Sequence, residues 1–252
     1  MKSKQILILG SKGMLGSDLV YVFRDLKPRA WDKEEIDITD KNQVFREIKK
    51  MNPEVIINAA AYTNVEEAEK EFKLAKKINA LAVKYLAEVG AEIGAVFVHY
   101  STDYVFSGRK KIGYGENEIP KNPVNKYGLS KLLGEQAILN LKSQKSNLKF
   151  YLIRTSWLFG SRIEPQKHKN FVTTILKLAQ EKKEIKVIND QFGKPTYTLD
   201  LARATRKLLE NKKTFGIYHL INAGSTTWYK FAKGIIKLSK LKVDILPCNN
   251  FH

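Results

Sequence analysis

An α/β fold built on a doubly wound parallel sheet, with a smaller C-terminal substrate lobe, is predicted by three observations. Up to about residue 155, short β-rich apolar runs alternate with longer helical patterns, which is the rhythm of βαβ units around a parallel sheet. The first run, Gln5 to Leu9, leads directly into Gly10-Ser11-Lys12-Gly13-Met14-Leu15-Gly16, a glycine spacing that forms a phosphate-binding turn when it joins a strand to a helix. Beyond residue 155 the alternation loosens with no low-complexity linker. The chain therefore reads as a Rossmann-type domain over 1–155 and a substrate-binding lobe over 156–252, with a soft boundary and interdigitated lobes.

The strands of the first part are Gln5 to Leu9, Arg29 to Asp32, Glu54 to Asn58, Val96 to Ser101 and Lys149 to Thr155. Helices fill the gaps near 14–26, 41–51, 65–89 and 125–142, with Asp40 as the N-cap of the second. In the lobe, helices are expected near 170–181, 199–211 and 227–239, and short strands at Lys186 to Ile188 and Ile217 to Ile221.

Composition removes several function classes. No apolar run approaches the roughly 18 to 20 residues of a membrane span. Met1-Lys2-Ser3-Lys4 and the short run after it do not make a signal peptide, so a cytoplasmic protein is expected. The single cysteine, Cys248, has no partner for a disulfide, and no Cys/His spacing resembles a zinc site. The net charge of +18 raises a nucleic-acid reading. Against it, the lysines of Lys70 to Lys84 and Lys177 to Lys186 are interleaved with Glu as on solvated helix faces, and no nucleic-acid motif accompanies them. Neither a nucleic-acid nor a membrane partner is expected.

The chemistry sits in four places. In the glycine turn, Gly10, Gly13 and Gly16 let backbone approach a pyrophosphate resting on a helix N-terminus. Asp32, 22 residues after Gly10, stands where a carboxylate accepts from an adenosine ribose and favours NAD. Lys12 and Lys33 flank it and suit a 2′-phosphate instead, so either cofactor stays open. Tyr127 and Lys131, four apart on one helix face, offer a proton donor and a cation to lower its pKa. Tyr229 and Lys233 match that spacing too. Thr102 selects the first pair, because Ser101-Thr102-Asp103-Tyr104-Val105-Phe106 follows an apolar strand and puts hydroxyls at the ligand-binding edge of the sheet, with Tyr127 25 residues on. Tyr229 reads as packing on a late amphipathic helix.

Several blocks together resemble the dTDP-4-dehydrorhamnose reductases, extended members of the short-chain dehydrogenase/reductase family. They are the glycine turn, Asn58-Ala59-Ala60-Ala61-Tyr62-Thr63-Asn64-Val65-Glu66, Ser101 to Phe106, Asn125 to Glu135 and Arg154-Thr155-Ser156-Trp157. Val187 to Thr196, Gly216 to Leu220 and Thr226 to Ala232 continue the likeness over nearly the whole chain. The resemblance implies reduction of the C4 keto group of a nucleotide-linked 4-keto-6-deoxy sugar with NADPH or NADH, Tyr127 giving the proton, Lys131 lowering its pKa and binding the nicotinamide ribose, and Thr102 bonding the carbonyl. It implies further cofactor contacts at Met14, Leu15, Asp37, Ile38, Ala59, Ala60 and Ala61, and sugar contacts at Thr63, Val65, Asp103, Tyr104 and Trp157. Each has a structural alternative: small residues suit a crowded strand end at the alanines, and Trp157 is equally at home in a core.

Some relatives use magnesium at a subunit contact, but no metal ligands are assigned here, and a homodimer is compatible with the likeness. Two departures stand out. Glu66 replaces the family's usual Asp, and the family continues into an Arg-Pro pair near the nucleotide-sugar site, whereas this chain stops at Cys248-Asn249-Asn250-Phe251-His252. Either the stop is artificial or the lobe is shorter. The rival reading is a non-catalytic NADP-binding regulatory subunit resembling the methionine adenosyltransferase beta subunit, favoured by the missing segment and opposed by Thr102, Tyr127 and Lys131.

Overall fold

The computed structural model describes residues 5–160 and 170–249; the readings of Met1 to Lys4 and Asn250 to His252 lie outside these. Strands β1 (Ile6–Leu9), β2 (Arg29–Trp31), β3 (Val55–Asn58), β4 (Val96–Thr102) and β5 (Lys149–Thr155) come first. The short β6 (Leu158–Phe159), β7 (Glu184–Ile188), β8 (Phe192–Gly193) and β9 (Thr196–Tyr197) follow, then β10 (Gly216–His219), β11 (Thr226–Thr227) and β12 (Asp244–Cys248). Six of them form one sheet in the order β10-β5-β4-β3-β1-β2, with every pairing parallel. β1 and β3 are buried along their whole lengths, which is why they read as unbroken apolar runs rather than alternating ones. The chain steps from β1 outward to β2 and then back across to β3, so a crevice opens beyond the C-terminal ends of β1 and β3.

Helices cover both faces: α1 (Met14–Val22), α2 (Lys41–Met51), α3 (Phe72–Lys76), α4 (Ala82–Glu92), α5 (Lys126–Gln144), α6 (Phe171–Glu181), α7 (Thr198–Glu210) and α8 (Trp228–Ser239). On one face Val44, Ile48, Leu86 and Ile138 pack on Leu7, Ile56, Phe97 and Leu152. On the other, Leu15, Leu19, Leu201 and Leu208 pack on Ile8, Ile57, Val98 and Ile153. The sheet's sixth strand and the helix beside α1 thus come from beyond residue 155. A separate cluster of Ile175, Ile185, Val187, Ala232, Ile235 and Ile236 holds α6, α8, β7 and β12 together as the lobe.

Most elements fall where the pattern puts them, and Asp40 caps α2 by accepting from the Gln43 N–H at 3.1 Å. Two helices differ. The first ends at Val22 and tightens into a 3₁₀ turn over Arg24–Leu26, because Lys27 goes left-handed (φ 49°) ahead of Pro28, which disfavours α backbone in the residue before it. The long helix begins as a 3₁₀ turn at Glu67–Glu69 and carries a π turn over Lys77–Leu81 between α3 and α4.

One buried ion pair locks the sheet to α5. Arg154 on β5 meets Glu135 at 2.8 Å with both side chains almost fully buried, and its ring partner Phe106 lies 5.0 Å below the guanidinium. Glu135→Gln leaves that guanidinium without its counter-charge, and a loss of about 3 to 5 kcal/mol is expected. The check is a shift in urea midpoint; an unchanged midpoint means the pair carries no net stability.

Candidate active site

At the glycine turn, Gly10 has φ +71°, and a Cβ there would sit 2.6 Å from the Ala60 nitrogen. A Cβ on Gly16 would sit 1.9 Å from the Gly10 carbonyl oxygen. Gly13 is less crowded, its Cβ position lying 3.2 Å from the same oxygen; it is the N-cap of α1 and gives that helix no side-chain cap. No acidic residue stands in the first turn, so the leading N–H groups of α1 are left for an external anion. Leu15 turns its side chain into the core, and Met14 lies beside Asn170, whose Nδ2 is 3.6 Å from the Met14 sulfur. Asp32 accepts from the Lys12 N–H and the Lys33 N–H, both at 2.9 Å, bracing the turn while each carboxylate oxygen keeps a second lone pair. Asp37 is engaged in its own turn, accepting from the Thr39 N–H and hydroxyl; those bonds hold its carboxyl below the usual range. Ile38 packs on the core.

Ala59 and Ala60 line the facing wall. The Ala59 N–H donates to the Leu9 carbonyl at 3.0 Å, so small side chains are needed where this segment crosses the glycine turn. The next residues are tied to α5 by Asn79 in the π turn. Its Nδ2 donates to the Tyr62 carbonyl and to Ser130 Oγ, both at 2.9 Å, and its Oδ1 accepts from the Tyr62 N–H. Ser130 Oγ in turn donates to the Tyr127 carbonyl at 2.7 Å. A π turn at such a junction re-aims one side chain without ending the helix.

Thr102, Asp103, Tyr104, Tyr127 and Lys131 gather where β4 ends and α5 begins. The approach is close enough that a Cβ on Gly128 would sit 2.2 Å from the Tyr104 carbonyl oxygen. Asn125 caps α5 by accepting from the Gly128 N–H at 2.8 Å, and the Tyr104 and Tyr127 rings meet edge to face at 6.1 Å. The Thr102 hydroxyl donates to Asp103 at 3.0 Å and accepts from the Tyr104 N–H at 3.2 Å. Burial, then the Asp103 and Tyr104 charges, push the Tyr127 phenol well above its ordinary value, while the Thr102 hydroxyl works in the other direction. Lys131 is buried and brought down to about 8 by desolvation, with Glu135 opposing. Its ammonium donates to the Tyr100 carbonyl at 2.6 Å rather than to the phenol, so the lowering of the Tyr127 pKa expected from the sequence is absent in this arrangement.

Burial raises Asp103 from 3.8 to about 6. The folded protein keeps this proton to higher pH than the unfolded chain, so the stability it contributes is complete below pH 4 and lost as pH rises through 6. Asp103→Asn stays neutral. It is expected to be more stable than the parent at pH 8, by about 2 kcal/mol after allowance for partial exposure, and equal to it near pH 4. Urea midpoints at the two pH values decide it; an advantage independent of pH contradicts the assignment.

Trp157 lies just past the end of β5. Its backbone is left-handed (φ 45°), its ring stacks on Trp228 at 3.4 Å, and Gly193 lies against it so closely that a Cβ would come within 2.2 Å. Thr63 is exposed and Val65 half-buried, with no hydrogen bond or ring contact to Tyr127 among the described residues. Tyr229 packs in the lobe cluster, as its helix pattern indicates. No motif in the sequence singles out Asn79, Ser130 or His99. Their signal is a polar residue inside an apolar run, as in Ile78-Asn79-Ala80-Leu81 and Val98-His99-Tyr100.

The profile described as the RmlD substrate binding domain matches residues 4–251. The dTDP-4-dehydrorhamnose reductase of Burkholderia thailandensis is 39% identical over 243 residues, covering 92% of this chain and 77% of its own. The chain belongs to the dTDP-4-dehydrorhamnose reductase family. Also similar is the spore coat polysaccharide biosynthesis protein SpsK of Bacillus subtilis, 39% identical over 96% of this chain and 82% of its own. The crystal structure of the Bacillus anthracis reductase, in complex with NADP, superposes with a TM-score of 0.89 at 38% identity over 98% of this chain and 85% of that one. A Thermus thermophilus UDP-glucose 4-epimerase, 19% identical with a TM-score of 0.81 over 97% of this chain and 86% of that one, shares the fold. The Bacillus anthracis reductase thus shares this fold over nearly the whole chain.

Proposed function

We propose that the protein reduces the C4 keto group of dTDP-4-dehydro-L-rhamnose to give dTDP-L-rhamnose, with NADPH as cofactor, in nucleotide-sugar biosynthesis in the cytoplasm. The observation that carries this is the meeting of Thr102, Tyr127 and Lys131 at the end of β4, beside an uncapped helix N-terminus behind a glycine turn, in a chain of the reductase family. The residues present fit a dinucleotide. Gly10 and Gly16 admit no side chain, the N-terminus of α1 carries no side-chain cap, and Asp32 braces the turn by accepting from the Lys12 N–H. When bound, the reduced nicotinamide supplies the hydride.

The chain's own groups handle the oxygen. Tyr127 stays protonated at neutral pH, which is the state a general acid needs before charge develops. Thr102 carries a hydroxyl that bonds Asp103 at rest and can rotate toward the sugar carbonyl. Lys131, ammonium below about pH 8, stabilises the phenolate left after transfer once it turns from the Tyr100 carbonyl it meets at rest, in surroundings where such charge interactions are stronger than in water. Asp103 and Tyr104 stand where the sugar would enter, and Trp157 in the lobe is a further sugar contact. A buried phenol, hydroxyl and lysine are groups a purely regulatory subunit has no need of.

The test supplies the purified protein with dTDP-4-keto-6-deoxyglucose, its 3,5-epimerase and either NADPH or NADH. Oxidation of the nicotinamide with formation of a 6-deoxy-4-hydroxy sugar nucleotide is expected, faster with NADPH. Tight NADPH binding with no oxidation under any substrate supply would favour the regulatory-subunit reading instead.

A further inference from the structure

His99 lies on β4 against α5, only 1% exposed, and the reduction described above gives it nothing to do. Both ring nitrogens have neighbours. Nδ1 is 3.1 Å from Asn58 Nδ2, and Nε2 is 3.3 Å from Lys131 Nζ. Which nitrogen carries the proton is settled on the far side of Asn58. The Ala60 N–H, which can only donate, lies 3.1 Å from Asn58 Oδ1; the amide must therefore present its NH₂ to His99, and Nδ1 must accept. Burial and the Lys131 charge hold the imidazole well below its ordinary pKa. A neutral ring accepting at Nδ1 carries its hydrogen on Nε2, aimed at Lys131.

Lys131 Nζ also donates to the Tyr100 carbonyl at 2.6 Å. A neutral amine completes this chain, donating to Tyr100 and accepting from Nε2–H. An ammonium has no lone pair and meets a donor head on. We propose that Asn58 and His99 are positioning residues whose fixed tautomer favours the amine form of Lys131 and so sets the upper pH limit of the reaction at Tyr127.

Desolvation already lowers Lys131, and the other groups around it leave the further bias to His99. On its own helix, Tyr127 lies one turn back, and Glu135 one turn on favours the ammonium but is itself paired to Arg154 of β5. Asp103 and Tyr104, after β4, act on Tyr127. From the neighbouring helical stretch comes the neutral Asn79, while Lys73, Lys76 and Lys77 are exposed and Glu69 pairs with Lys126 at the surface. Ser101 Oγ, on the same face of β4 as His99, is buried without a hydrogen-bond partner.

Two measurements on the full chain test the proposal. Long-range ¹H–¹⁵N spectra of the histidine rings, only four in the sequence, read the tautomer directly, with His99→Gln assigning the signal. A neutral Nε2–H ring between pH 6 and 9 is expected, and an Nδ1–H ring overturns the proposal. The second is the pH profile of kcat/KM, which rests on the reductase reading. The parent should lose activity above about pH 8. Asn58→Asp offers oxygen to Nδ1, moves the ring proton there and turns the Nε2 lone pair to the ammonium; His99→Gln can turn a carbonyl to it. Both should carry the alkaline limb up by about one pH unit. Limbs that coincide with the parent's, with kcat lowered equally at all pH, would mean a merely structural role. A parent without reductase activity would count against the function, while the spectra still decide the tautomer.

Discussion

Tyr127→Phe is expected to lower turnover by about 10² to 10⁴-fold while NADPH affinity changes little. The phenol stays protonated through the neutral range, burial raising it above its ordinary value. The ring's edge contact with Tyr104 and the carbonyl bond from Ser130 survive the loss of the hydroxyl, so the site keeps its shape. Steady-state assay with calorimetric titration of NADPH separates the two effects. A variant that retains more than about half of parental turnover removes Tyr127 from the role of acid. Tyr229→Phe, in the lobe cluster, should cost little activity.

The second large effect lies in the glycine turn. Gly16→Ala places a methyl 1.9 Å from the Gly10 carbonyl oxygen and 2.8 Å from its carbon, and backbone on both sides has nowhere to yield except by opening the turn. Overpacking of this kind costs about 1 to 3 kcal/mol, which in cofactor affinity is roughly 5- to 150-fold. Gly13→Val makes a separate point. Its Cβ meets only the 3.2 Å neighbour inside the protein, so the fold should hold while the side chain obstructs the helix N-terminus. Weak NADPH binding in a folded Gly13→Val protein locates the pyrophosphate there; full affinity would make the turn purely structural.

The middle of the parallel sheet was legible because its strands are buried on both faces: Ile6–Leu9 and Val55–Asn58 have no exposed face to blur the pattern. Helix α2 was legible to the residue, since Asp40 caps it locally. The lobe was harder. Strands of two residues such as β6, β8 and β9 have no periodicity to read, and β12 forms only by pairing with β7, each residue meeting one 60 positions earlier. Tyr127, Lys131 and Thr102 were visible from spacing plus position at a strand end. The network beneath them was not, because Asn79, Ser130, Asn58 and His99 meet across 41 to 51 residues of sequence and act through bonds that only folding creates. The packing around Trp157 was no more legible. Its motif marks it for the sugar, while its ring is held by Trp228 and Gly193 from the lobe.

The central claim is that the groups at the end of β4 direct reduction to C4 of the sugar. Its most direct test follows the label from NADPH carrying deuterium at the transferred position of the nicotinamide, using dTDP-4-dehydro-L-rhamnose and the intact chain. The account predicts one deuterium at C4 of the product, with none at C3 or C5, and its disappearance in Tyr127→Phe at matched times. Label that stays in the nicotinamide while the sugar remains a ketone would contradict it.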